Sequence, residues 1–187
     1  ALNPLVFDII EPFQGWIRSR SNFARMLEKR DDPLAELPMS VDVNRLTGHI
    51  VLVGYGEVGR RAGEALARRG MPIVVVEQNR ETVESLRERD IPAVYGDAAE
   101  PGVLIQAHIA RAQMLVVTTP DAFRTCRMIE TARALRPSVE ILARVYSDEE
   151  AELLRREGAD RTFRAEHELA LGMTRSVLEG VENQRGA

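Results

Sequence analysis

Residues 49–59 read HIVLVGYGEVG, in which a short apolar run leads directly into a glycine-rich loop. The four consecutive aliphatic residues Ile50–Val53 are typical of a strand that is buried on both faces. The loop has the spacing G-x-G-x-x-G, and Val58–Arg69 after it have the apolar spacing of a helix that ends at Gly70. This order of strand, loop and helix predicts the first unit of a dinucleotide-binding fold.

Each glycine of the loop has a separate expected role. Gly54 permits a tight turn, Gly56 leaves the main chain bare where a phosphate approaches, and Gly59 lets the helix pack close to the strand. The helix that follows offers free N–H groups and a positive dipole end to an anion. The candidate phosphate site therefore consists of the whole loop: Gly54, Tyr55, Gly56, Glu57, Val58 and Gly59.

A second apolar run, Pro72–Val76, ends in an acid, Glu77. Glu77 lies about twenty residues beyond the glycines, where this fold places a carboxylate that holds both ribose hydroxyls. Such a carboxylate repels a 2′-phosphate, so the expected ligand is NAD(H) or an adenosine nucleotide rather than NADP. The alternative is an ordinary glycine-rich turn followed by a solvated glutamate.

The rest of the chain alternates strands with helices. Further strands are expected at Ala93–Tyr95, Gln113–Thr118, Val139–Val145 and Arg161–Phe163, with a final helix at about Glu166–Val181. The predicted fold class is α/β: a Rossmann-like, doubly wound, parallel six-stranded sheet with an N-terminal helical or linker extension. The expected strand order is 3-2-1-4-5-6, with a ligand crevice at the carboxyl ends of the strands.

Several polar residues follow the predicted strands. Asp97 can accept a hydrogen bond from an adenine amino group, or it can simply form a turn. Thr118 and Thr119 end the fourth strand and can bond ribose or phosphate, or they can cap the next helix. Arg144, in an otherwise apolar strand, is expected to point into the crevice or to form a structural ion pair.

Composition excludes several classes of protein. The 187 residues are 44% hydrophobic and 29% charged, and the net charge of −4 argues against a nucleic-acid partner. The single cysteine, Cys126, excludes an internal disulfide, and no run is apolar enough to span a bilayer. The three histidines lack metal-ligand spacing, so we expect neither a metal site nor a catalytic group.

The first 43 residues differ from the rest. Aromatic residues and arginines are mixed there in a way that suits a membrane interface, or alternatively a surface helix packed on the domain or on a partner subunit. Residues 31–38 have the composition of a linker. We therefore expect a juxtamembrane segment and linker at 1–43, a nucleotide-binding domain at 44–187, and an origin in a longer chain that begins before Ala1.

Five motifs occur together and in order: GYGEVG, VVVEQN, YGDAAEPGVL, LVVTTPD and ILARVYSDEEAELLRREGAD. Over about His49–Leu178, this combination resembles the Trk-N (KTN/RCK) nucleotide-binding domain that regulates potassium channels and transporters. The stretch LNPLVF near the start is similar to the exit from the last membrane helix of Kef/YbaL-type monovalent cation:proton antiporters.

The resemblance implies a regulatory domain rather than an enzyme. Such domains lie on the cytoplasmic face of the cell inner membrane, attached to an integral-membrane transport domain of the same polypeptide, and they form homodimers. They bind AMP, NAD(H), ADP or ATP at the glycine loop, and the nucleotide gates ion transport. The site residues implied in addition to the loop are Glu77, Gln78, Asp97, Ala98, Thr118 and Thr119.

Glu57 departs from the family pattern, since many relatives have arginine at this position. An acid beside the phosphates makes a monophosphate such as AMP a better ligand than a pyrophosphate. Two alternatives of other classes stay open: an NAD-dependent oxidoreductase domain, and a nucleotide-free dimerisation module.

Overall fold

The computed structural model describes residues 32–38 and 46–185, with side chains as far as residue 181. Six strands form one sheet in which all neighbours are parallel, in the order β3-β2-β1-β4-β5-β6. The expected fold class and strand order are confirmed. The strands are β1 Ile50–Val53, β2 Ile73–Glu77, β3 Ala93–Tyr95, β4 Met114–Val117, β5 Glu140–Val145 and β6 Arg161–Arg164.

Helices connect the strands on both faces of the sheet. A short 3₁₀ turn, Ile109–Arg111, precedes β4. The α-helices are α1 Glu57–Arg68, α2 Arg80–Glu88, α3 Pro101–Gln106, α4 Ala122–Leu135, α5 Asp148–Glu157 and α6 Ala165–Arg185.

The apolar runs that predicted buried strands do form the centre of the sheet. In β1, Val51 and Val53 belong to one core cluster, while Ile50 and Leu52 belong to the cluster on the opposite face. This division follows from the alternation of side chains along a strand. Because helices cover both faces of β1, none of its four residues is more than 4% exposed.

The helix ends follow local sequence signals. Ser147 accepts a hydrogen bond from the main-chain N–H of Glu150 and so begins α5. Asn79 accepts from Thr82 N and begins α2, directly after β2. These caps fix where the chain turns from strand to helix at the carboxyl edge of the sheet.

Residues 32–38, which have the composition of a linker, lie against the open edge of β3. The N–H of Tyr95 donates to Leu34 O at 2.8 Å, which extends the ladder of the sheet outward. The Arg87 guanidinium donates to the carbonyl oxygens of Pro33, Leu34 and Glu36 and also to Ala93 O.

An ion pair adds a second attachment of this segment. Both oxygens of Asp32 accept from the Arg80 guanidinium, at 2.8 and 3.0 Å. Arg80 is the first residue of α2, so the segment is joined to the unit that carries Glu77. The expected boundary near residue 44 stays a prediction, but part of the chain before it is in contact with the sheet.

The membrane-interface interpretation of the N-terminal aromatics and arginines concerns residues outside the described ranges. Among the helices that the structure describes, none combines the length and apolar character that crossing a membrane requires.

Replacing Arg87 by alanine should detach residues 32–38 from the β3 edge. Hydrogen bonds from a charged donor to several carbonyls are lost, so we expect the free energy of unfolding to fall by about 1–2 kcal/mol. Urea denaturation measures this, and hydrogen exchange at Tyr95 should accelerate. Arg89→Ala, at an exposed position just beyond α2, is the matched control; equal stability of the two variants would contradict the attachment.

Candidate functional site

A cleft of about 220 Å³ lies at the carboxyl ends of the central strands, where an open parallel sheet binds its ligands. β1 and β4 are neighbours there although their connections run in opposite directions, so the cleft lies at the switch point of the topology. Its lining residues are Val53, Gly54, Val76, Glu77, Gln78, Gly96, Ala98, Thr119, Pro120, Asp121, Arg124 and Met128.

Five of the predicted site residues line this cleft: Gly54, Glu77, Gln78, Ala98 and Thr119. The lining residues that sequence reasoning missed come largely from the start of α4: Pro120, Asp121, Arg124 and Met128. The predicted fold could have indicated these residues, because the helix that follows β4 begins beside the switch point of the sheet. The remaining predicted residues are next to these in the chain or in space but do not line the cleft.

Gly54 and Gly59 are required by packing inside the protein. Gly54 has φ +86°, and a Cβ there would lie 2.7 Å from Cγ2 of Thr119. A Cβ at Gly59 would overlap the carbonyl oxygen of Gly54. The two glycines therefore let α1 begin directly against the end of β1, which is the close approach that the sequence predicts.

Gly56 is different, because no contact with the described residues requires a glycine there. Its φ is −68°, a value open to any residue, and a Cβ built on it meets no atom of those residues within 4 Å. The main chain before α1 thus faces open space at the point where the fold brings a phosphate. The geometry fits a ligand group that approaches the backbone closely.

Glu77 ties the end of β2 to the glycine loop. One carboxylate oxygen accepts from the N–H of Tyr55 at 2.6 Å, and the other accepts from the N–H groups of Gln78 and Asn79. The carboxylate is therefore held at the cleft by three main-chain donors. A ribose hydroxyl that binds there meets an acceptor whose position is already fixed.

The carboxylate of Glu57 points along α1 to two arginines. It accepts from Arg61 at 2.6 Å and from Arg60 at 3.2 Å. These hydrogen bonds, Arg61 first and Arg60 second, lower the pKa of Glu57 below its usual value. Glu57 therefore carries its own counter-charges, so its repulsion of a phosphate is weaker than the sequence alone indicates.

Two other loop side chains do not face the cleft. The Tyr55 ring is 8% exposed and packs in the core, where burial raises the pKa of its hydroxyl. Val58 is 44% exposed on α1. Neither side chain is among those that line the cleft. The contact of Tyr55 with the site is its main-chain N–H, which donates to the Glu77 carboxylate.

The two threonines after β4 have separate roles. The Thr118 hydroxyl donates to the carbonyls of Val53 and Gly54 and fastens β4 to the end of β1. Neither threonine caps the next helix, because Asp121 accepts from Arg124 N and takes that position. Thr119 lines the cleft, and its hydroxyl is buried and has no hydrogen-bond partner among the described residues.

Asp97 lies at the end of β3 with both oxygens engaged. Oδ1 accepts from Ala99 N at 2.9 Å, which forms the local turn. Oδ2 lies 3.4 Å from the Arg124 guanidinium, which reaches across from α4. Asp97 is therefore a turn residue that stands beside the cleft and contacts one of its lining residues, Arg124.

Arg144 takes neither of the two expected roles. Among the described residues it forms no ion pair and it does not line the cleft; its guanidinium lies 5.2 Å from the centre of the Tyr146 ring. The expectation of a structural ion pair within that part of the chain is wrong, because an aromatic face takes the place of the carboxylate. No group of three or more acids, histidines or cysteines within the described ranges could hold a metal ion.

Comparison with known families and proteins agrees with this geometry. The TrkA-N domain matches residues 50–165. A putative cation/proton antiporter, YbaL of Escherichia coli strain K12, is 33% identical over 181 residues, which is 97% of this chain and 30% of that protein. The chain thus spans less than a third of that relative's length.

Two solved structures have folds similar to that of this chain. The TrkA-N domain of the inner membrane protein YbaL from Escherichia coli is 37% identical, with a TM-score of 0.67, over 72% of this chain and 98% of that one. The GsuK channel bound to NAD is 28% identical, with a TM-score of 0.59, over 83% of this chain and 27% of that one.

The stability of the chain should respond differently to a methyl group added at Gly56 and to one added at Gly59. Gly59→Ala forces a Cβ into the Gly54 carbonyl and should lower stability by about 1–3 kcal/mol or more, whereas Gly56→Ala should change stability little. Thermal unfolding of both variants measures the difference. Equal losses would contradict the assignment of open space at Gly56.

Proposed function

Because the chain belongs to the TrkA-N domain family, we propose that it is a regulatory domain that binds an adenine nucleotide at its glycine loop. The nucleotide is AMP or NAD(H), with ADP and ATP as further candidates. Its binding gates potassium or monovalent cation:proton exchange by a membrane domain of the same polypeptide. The domain lies at the cytoplasmic face of the inner membrane and acts as a binding module rather than as an enzyme.

The open space in front of Gly56 carries this proposal. Packing accounts for Gly54 and Gly59, whereas no described residue fills the space in front of Gly56, which leaves its main chain open to an external group. A phosphate there receives the free N–H groups at the start of α1 and the positive end of its dipole. The charge of Glu57 is balanced by Arg60 and Arg61, so it opposes this contact only weakly.

Two further groups support a nucleoside beside the phosphate. The fixed carboxylate of Glu77 can accept from ribose hydroxyls, and the Thr119 hydroxyl is a buried polar group without a partner among the described residues. The AMP moiety is common to every candidate ligand, so the proposal commits to that moiety. The NAD bound to the GsuK channel supports a ligand of this class.

Gating then follows from differential binding. A nucleotide that binds one arrangement of the assembled protein better than another shifts the population toward that arrangement. A coupling of about 1–3 kcal/mol is typical of such regulation. The attachment of residues 32–38 to α2 and β3 gives the chain before the domain a direct contact with the unit that carries Glu77.

We also propose a homodimer that uses α6. Every described side chain of this helix, from 165 to 181, is exposed. Four of its apolar residues recur every fourth position and so share one face: Leu169, Met173, Val177 and Val181. An apolar stripe of this length on a soluble surface is typical of a protein interface.

Titration with AMP, NAD, NADH, ADP and ATP tests the ligand. At one hundred times its dissociation constant a nucleotide should stabilise the chain by about 2.7 kcal/mol. Gly56→Val should abolish the effect without unfolding the chain, because the side chain fills the phosphate's place. Glu77→Ala should weaken binding by about 1–3 kcal/mol.

The outcomes separate the alternatives. No stabilisation by any of the five nucleotides would favour the nucleotide-free dimerisation module. Turnover of NAD with a panel of dehydrogenase substrates would favour the oxidoreductase. Unchanged affinity in Gly56→Val would remove the loop from the site.

Sedimentation tests the dimer. Met173→Asp should convert a species with the mass of two chains into one with the mass of a single chain, because a charge is placed in the apolar stripe. Thr174→Asp, the next residue on the same exposed helix, is the matched control. A single-chain mass for the unaltered protein, or equal behaviour of both variants, would contradict the proposal.

A further inference from the structure

Arg124 spans the mouth of the cleft, although no sequence motif singled it out. It lies in the first turn of α4, and its guanidinium reaches the ends of two other strands. Nη1 lies 3.3 Å from Gln78 Oε1 and 3.4 Å from Asp97 Oδ2, while Nε lies 3.5 Å from Asp121 Oδ2. The side chain thus crosses the switch point from the β4 side to the β2 and β3 side.

Within the part of the chain that the structure describes, Arg124 is the only cation that lines this cleft. Glu77 and Asp121 line it as well, and Asp97 stands beside it. A nucleotide that enters this cleft therefore meets several carboxylates and, among the described lining residues, one guanidinium. That guanidinium is held only by partly exposed ion pairs, which contribute little in water and are readily exchanged.

The Arg124 side chain can leave the cleft without disturbing its floor. The cleft has a volume of about 220 Å³, and a side chain that moves out of its lining enlarges it. The Arg124 side chain is 46% exposed, whereas Ala98 and Met128 in the same lining are 1% exposed. Arg124 is thus the lining group that can swing outward while the apolar floor stays in place.

The surroundings of the guanidinium fit a purine base. Ala98 and Met128 offer an apolar floor, and the planar guanidinium lies at the open side, where it can stack on a flat ring. Asp97 Oδ2 and Gln78 Oε1 are hydrogen-bond acceptors at the edge of the cleft, and each is in contact with Arg124 in this structure. An exocyclic amino group could take either acceptor once the guanidinium releases it.

We propose that Arg124 is a base-binding residue that exchanges partners when the nucleotide arrives. In the free chain its guanidinium pairs with Asp97 and narrows the cleft. In the bound chain it lies against the face of the adenine, and Asp97 accepts from the amino group of the base. This inference rests on the proposed function, since it concerns the same cleft, but it adds a residue and a specificity for a flat, amino-bearing base.

Calorimetric titration of the whole chain with AMP and with adenosine tests the exchange. Arg124→Ala should weaken both ligands by the same factor, roughly three- to thirtyfold. Arg124→Lys should lose nearly as much, since it keeps the charge but not the plane. Arg127→Ala, at an exposed position on the same helix outside the cleft lining, should change neither affinity.

Two results would overturn the inference while the proposed function stands. Weaker binding of AMP with unchanged binding of adenosine would mean that the guanidinium acts on the phosphate. Unchanged affinity for both ligands would mean that the pair with Asp97 is only structural. Failure of the unaltered chain to bind AMP or any other adenine nucleotide would overturn the proposed function itself and this inference with it. Melting temperatures of the variants establish that each is folded.

Discussion

The structure depends on one close approach, between the main chain of α1 at Gly59 and the carbonyl oxygen of Gly54. No side chain fits between them, so the helix begins directly where β1 ends. The Thr118 hydroxyl donates to this carbonyl of Gly54 and to that of Val53, which joins the end of β1 to the end of β4. The positive end of α1 is thereby fixed at the switch point of the sheet, beside the cleft.

The charged side chains near the start of α1 have partners within the protein. Glu77 is satisfied by three main-chain donors, and Glu57 is satisfied by arginines of its own helix. Neither acid is an unpaired charge, so each can stand near an anionic ligand at a moderate electrostatic penalty. Among the described residues that line the cleft, Arg124 is the one with a guanidinium, and its partners there are Gln78, Asp97 and Asp121.

Local patterns in the sequence were sufficient to predict the sheet and the packing of the glycine loop. Apolar runs such as Ile50–Val53 report burial on two faces, and the roles of Gly54 and Gly59 follow from the geometry of a strand–helix turn. The contacts of Arg87 and Arg124 could not be predicted in this way. Each joins segments far apart in the chain, and neither has a periodic pattern or a motif spacing.

We propose above all that an adenylate phosphate binds the bare main chain before α1. Amide chemical-shift changes on titration with AMP test this directly, and a chain of 20.9 kDa is within reach of the method. We predict the largest changes at residues 55–59, with smaller ones at Gln78 and Thr119. Changes confined to α6, or none at a saturating concentration of AMP, would contradict the claim.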